Sequence, residues 1–74
     1  MKDQEKLLIE AGCENVRPYT LINNYGFTFT KNGTKYDLRH WQNVYGAEVD
    51  FWDISGLKGA FNTFEAALEI IKDL

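Results

Sequence analysis

Cys13 and His40 are the only thiol and the only imidazole among the 74 residues. Together they could supply the nucleophile and base of a cysteine hydrolase, provided they lie within hydrogen-bond reach and a third group orients the imidazole. Cys13, however, follows a helix end and His40 falls on the inner face of a strand. The preferred reading is therefore a small buried thiol and a histidine at the margin of the core. Glu48, Asp50 and Asp53 are the next candidates, as metal ligands. On a strand, Glu48 and Asp50 project from one face roughly 6.6 Å apart while Asp53 points the other way, and a metal site wants three or more converging oxygens. A solvated strand face is expected instead. Gly56-Leu57-Lys58-Gly59 lies between a strand and a helix, where phosphate loops occur, but it lacks the Walker spacing and reads as a turn. No enzyme, metal or cofactor is implied.

What remains is a surface. No lysine or arginine lies between Arg39 and Lys58, whereas Glu48, Asp50 and Asp53 fall in that interval with Trp41 and Trp52. Tryptophan buries much area at little rotamer cost, and carboxylates beside it steer a basic partner. Trp41, Glu48, Asp50 and Trp52, all placed on the outward sheet face, thus form the expected partner-binding site. The competing reading is that the first helix or residues 19–22 cover this face and make both tryptophans core. The expected function is a small non-catalytic protein-binding module, a regulator or inhibitor offering that face or a free sheet edge to a basic, nucleic-acid-associated protein. Small acidic proteins of viral or mobile-element origin are similar in size and charge. A homodimer is another way to cover an open edge or face.

The alternative is a nucleic-acid or small-ligand binder that stacks rings on strand aromatics and uses Lys31, Lys35 and Arg39 of the hairpin. A net charge of −3 weighs against nucleic acid as partner and against anionic membranes. The charged N-terminus and the lack of a long apolar run predict neither a leader nor a membrane span. A lone cysteine allows no intrachain disulfide, so a cytoplasmic setting is expected.

These side chains need elements to hold them. Tyr25 to His40 is an alternating run folded about Asn32-Gly33, the pair best suited to positive φ at both centres of a two-residue type I′ turn. That turn pairs Thr30 with Lys35, Phe29 with Tyr36, Thr28 with Asp37, Phe27 with Leu38 and Tyr25 with His40. Tyr25, Phe27, Phe29, Tyr36, Leu38 and His40 then share the inner face, and Thr28, Thr30, Lys35, Asp37, Arg39 and Trp41 the outer one.

Before the hairpin, Asp3 caps a helix over residues 4–11, with Leu7, Leu8 and Ala11 as its apolar face and Gly12 as its end. Residues 13–18, punctuated by Asn15 and Pro18, read as a connection. Tyr19 to Ile22 reads as a short strand or as the opening of a longer bent one. After the hairpin, residues 41–46 form a loop and residues 47–54 a third hairpin-connected strand. Keeping Asp37 from facing Asp50 selects the register in which Arg39 faces Asp50, Trp41 faces Glu48 and Asp37 faces Trp52. His40, Leu38 and Tyr36 then meet Val49, Phe51 and Asp53 on the inner side.

Asn62 with Glu65 resembles a capping box, with Phe61 as its staple. Phe64, Ala67, Leu68, Ile71 and Leu74 form one helical stripe, with Ile70 at its margin. The fold class is α+β, one domain over residues 1–74. It is a three- or four-stranded antiparallel meander flanked by a short N-terminal helix and a C-terminal amphipathic helix packed on one sheet face. At this length a core is near the lower limit for folding alone, so each buried aromatic counts.

Overall fold

Asn32 and Gly33 take φ of 50° and 81°, the left-handed pair that a type I′ turn requires. The hairpin they close has all five of the pairs expected from the turn. A computed structural model describes residues 2–74. In chain order the elements are α1 (Lys2–Glu10), β1 (Glu14–Thr20), β2 (Asn24–Lys31), β3 (Thr34–Val44), β4 (Ala47–Ile54) and α2 (Phe64–Lys72). The strands make one open antiparallel sheet in the order β1-β2-β3-β4, which with the two helices gives an α+β fold. Among the described residues no helix is long and apolar enough to cross a membrane.

Both helices sit on the same side of the sheet. Phe27, Phe29, Leu38, Trp52 and Ile54 from the strands form one buried cluster with Leu8 of α1 and Phe64, Ala67, Leu68 and Ile71 of α2. The expected stripe of α2 is thus the one that packs, with Ile70 left largely outside. On α1 only Leu8 is fully buried, while Leu7 remains exposed. Among the described residues, neither helix covers the opposite, outer face. The helix ends are tied down. Thr63, one residue later than the expected Asn62, caps α2 by accepting from Ala66 N at 3.1 Å. At the other end the buried Lys31 Nζ donates to the carbonyls of Ile71 (2.6 Å) and Lys72 (2.7 Å), placing a cation at the negative end of the helix.

Three sequence expectations are corrected. Residues 14–18, read as a connection, belong to β1. An edge strand tolerates what looked like punctuation. Leu21 N donates to Asn24 O at 2.8 Å, and in an antiparallel ladder this sends every second N–H back from Leu21 toward β2, so the position of Pro18 faces solvent and needs no donor. Asn15, at φ 54°, forms a bulge with Val16 opposite Phe29. Residues 41–44, read as loop, continue β3, and Tyr45-Gly46 makes the turn with φ of 53° and 81°.

The third correction concerns register. Arg39 faces Asp53, His40 faces Trp52 and Trp41 faces Phe51, whereas Asn43 faces Glu48. Val49 and Asp50 together oppose Gln42, so an extra residue in β4 shifts the ladder. Trp52 and Ile54 consequently point into the core, and Phe51 and Asp53 point out, the reverse of the expected faces. Phe61 does not act as a staple. It pairs with Trp52 through two backbone hydrogen bonds of 2.7 Å.

Candidate interaction surface on the open sheet face

The outer face is organised around Asp53. Arg39 lies directly across the ladder and grips it with a fork, Nε to Oδ1 at 2.8 Å and Nη2 to Oδ2 at 2.7 Å. The indole Nε1 of Trp41 donates to the same Oδ1 at 3.0 Å. The hydrogen bond to Asp53 pushes the guanidinium pKa up, so this cation is fixed. Because the pair is partly exposed, it adds little stability. Its chief effect is orientation: the Arg39-held carboxylate anchors the Trp41 ring through one hydrogen bond, stacked on Phe51 with centroids 6.5 Å apart and planes 23° apart, and Arg39 Cζ lies 5.7 Å from the ring centre. A ring positioned in advance loses little entropy on contact with a partner.

A second network lies beside it. Tyr19 Oη donates to Asn24 Oδ1 at 2.8 Å and Asn24 Nδ2 to Asn23 Oδ1 at 3.0 Å, which satisfies the buried Asn24. Burial pushes the Tyr19 phenol up, so it stays a neutral donor. Between these networks β2 and β3 approach closely: a Cβ at Gly26 would overlap the Leu38 carbonyl oxygen, so only glycine fits there. Trp41 divides the face into two clefts. One, of about 380 Å³, has Tyr19, Thr28, Asp37 and Arg39 in its lining. The other, of about 470 Å³, is bounded by Asn23, Val44, Tyr45, Phe51 and Asp53 and opens between two hairpin tips. Those tips carry large side chains in solvent, Ile22 at 102% exposure and Tyr45 at 103%.

The four residues expected to bind a partner do not converge. Trp41 lies on the outer face as expected. Trp52 does not: it is 5% exposed on the inner face, with its ring 5.5 Å from Phe64 and 4.5 Å from His40. Glu48 is exposed two residues from the β3–β4 turn, and Asp50 places Oδ1 2.6 Å from His40 Nε2 at the inner rim. Lys31, Lys35 and Arg39 form no shared basic groove either. Lys31 is buried beneath the end of α2, Lys35 is exposed, and Arg39 is bound to Asp53.

Cys13 and His40 stand near opposite ends of β2: Glu14, next to Cys13, pairs with Thr30 and His40 with Tyr25, positions roughly 16 Å apart along the strand. Burial pushes the Cys13 thiol up, away from the thiolate a nucleophile needs. The ring of His40 lies among Tyr25 and Trp52 with Nδ1 buried and unpartnered among the described residues. Glu48, Asp50 and Asp53 face three different surroundings, and no cluster of three metal-ligating residues occurs among the described residues. At residues 56–59, Leu57 N donates to Ile54 O at 3.1 Å, closing a turn after β4.

Sequence reasoning missed Phe51, Leu21, Ile22 and Tyr45. The Gly46 turn was the signal within reach, because Tyr-Gly at positions 45 and 46 would have ended β3 at Val44. Both sheet edges are blunted. The bulge at Asn15 and Pro18 break up the β1 edge, and Phe61 occupies the outer hydrogen bonds of Trp52 on β4. The fold and this surface define a two-layer α+β protein with one open, aromatic sheet face. Compared with known families, curated proteins and solved structures, the chain matches none.

Proposed function

We propose that this protein is a non-catalytic binding module, a regulator or inhibitor that captures a basic protein on its outer sheet face in the cytoplasm. The observation that supports this reading is the uncovered Trp41–Phe51 stack, held in place by the Arg39–Asp53 fork on a face that, among the described residues, no helix packs against. Rigid aromatics in a shallow cleft are the side chains that dominate binding energy at protein interfaces. The face is preferred to a sheet edge because both edges are interrupted. Nucleic acid is the weaker reading, because Lys31 caps a helix and Arg39 is neutralised.

The two tryptophans test it. Trp41→Ala should leave the fold intact by circular dichroism and abolish stoichiometric capture of a partner from source lysate. Trp52→Ala should cost about 3–5 kcal/mol of stability, the usual range for truncating a buried aromatic. If Trp41→Ala keeps its partner at wild-type yield, or if the captured species is nucleic acid, the reading is wrong.

A further inference from the structure

Tyr45 sits where its side chain is chemically misplaced. Both centres of a type I′ turn need positive φ, which glycine and asparagine adopt readily and a bulky aromatic does not. Yet Tyr45 holds φ 53° with its ring wholly in solvent, and Asn43 Oδ1 accepts from Gly46 N at 2.9 Å to brace the turn. Nothing in the fold uses the ring. Strain of this kind at an exposed position points to a function. Ile22, on the neighbouring tip, is equally exposed though not at positive φ. The two tips flank the cleft bounded by Trp41, Val44, Tyr45 and Phe51 with Asn23 and Asp53 at its margin, a mostly apolar slot that no side chain among the described residues fills.

Charge selects the occupant. In the same hairpin as the slot, Glu48 pairs across the ladder with Asn43 and is exposed and unpaired among the described residues, Asp53 is already neutralised, and the only nearby guanidinium, Arg39, is bound to Asp53. No lysine or arginine follows until Lys58. A tip built to enter a bilayer carries basic residues beside its apolar ones to meet anionic headgroups, and this one has an acid instead. A second copy docking symmetrically would offer Glu48 no basic group in return. Resting on the module reading above, we propose that the slot between the hairpin tips is an anchor pocket for one large apolar side chain of a partner-protein segment flanked by lysine or arginine. The Trp41–Phe51 stack forms its floor, Tyr45 and Ile22 close over the anchor, and Glu48 reads the flanking charge.

The test is selection of random displayed peptides of about twelve residues, long enough to span one groove, on wild type, Tyr45→Asn and Glu48→Lys. Enriched peptides should share a large apolar residue with Lys or Arg close by. A synthetic representative should bind Tyr45→Asn at least about tenfold more weakly, the scale of a central aromatic anchor, while that variant melts at a higher temperature than wild type. Glu48→Lys should weaken binding mainly at low salt. The proposal is overturned if no peptide is enriched, if the enriched set lacks basic residues, or if Tyr45→Asn binds as well as wild type. Co-sedimentation with phosphatidylcholine–phosphatidylserine vesicles, or a dimer that dissociates on Tyr45→Asn, would equally overturn it. Should Trp41→Ala lose the lysate partner while Tyr45→Asn retains it, the module stands and the pocket does not.

Discussion

At one end of the sheet Asn32 and Gly33 turn the chain with φ of 50° and 81°, and at the other Tyr45 and Gly46 turn it with 53° and 81°. The backbone is the same, but the surroundings differ in kind. Beside the first turn Lys31 holds two carbonyls of α2, and Asn32 Nδ2 donates to the oxygen of Leu74. Both of these side chains serve the fold. Beside the second, Tyr45 and Ile22 touch water where polar turn residues would be stabler. Since identical φ values make the same demand on residue type, the mismatch at Tyr45 cannot come from geometry. In the pocket proposed above, the tyrosine is kept for the partner side chain it would contact.

The largest effect should come from breaking the closed end. Lys31→Met keeps the aliphatic stem packed but leaves the carbonyls of Ile71 and Lys72 without their charged donor. A loss of about 2–3 kcal/mol is expected, from a pair of charge-assisted hydrogen bonds and the helix C-terminal dipole. Urea unfolding would read it as a lower midpoint at unchanged slope. A loss below about 0.5 kcal/mol, the level of an ordinary surface substitution, would mean that this end is no more anchored than the other.

Exchanging the turn residues sharpens the contrast. Tyr45→Asn should stabilise the protein by about 0.5–1 kcal/mol, because asparagine accepts the left-handed conformation that tyrosine resists. Asn32→Tyr should destabilise it by about 1–2 kcal/mol, since it adds the same strain and removes the bond to Leu74. Opposite signs in thermal melts are the expected outcome. If Tyr45→Asn is destabilising, the tyrosine ring has a structural partner and its exposure has been misread as functional.

The closed end was also the legible one. Asn-Gly between alternating runs names its own turn, and the strand faces follow from it without further information, so the core of Phe27, Phe29 and Leu38 could be read directly. The open end was harder to read: Gly46 marks the turn, but tyrosine is a weak first member of a type I′ pair, so the reading of residues 41–46 as loop ends β3 short of Val44. The charge argument for the third strand had the right form, an acid opposite Arg39, but chose Asp50 over Asp53. Alternation could not arbitrate, because Val49 and Phe51 on one face compete with Trp52 and Ile54 on the other. The bulge at Val49 and Asp50 decides between them, and a bulge leaves no mark when both candidate faces are apolar. Asp53 therefore surfaced as the organiser of the site only once the ladder was known.

The smallest effect lies again at the closed end and depends on pH. Burial raises the Cys13 thiol above its ordinary value of 9.0, and the nearby Lys31 offsets this in part. Below pH 9 folded and unfolded chains both hold the proton, and the full stability is present. As pH rises past the unfolded value the unfolded chain releases its proton first, so stability falls until the raised folded value is passed. The slope from Cys13 is bounded by the roughly 1.4 kcal/mol per pH unit of one whole proton. Comparing urea midpoints of wild type and Cys13→Ala at pH 8 and pH 10 isolates this contribution, because the alanine variant should lose less of its stability over the interval. Lys31→Met should steepen the wild-type loss, since removing the cation lets burial act alone. If instead the loss is unchanged, Lys31 and Cys13 are not coupled.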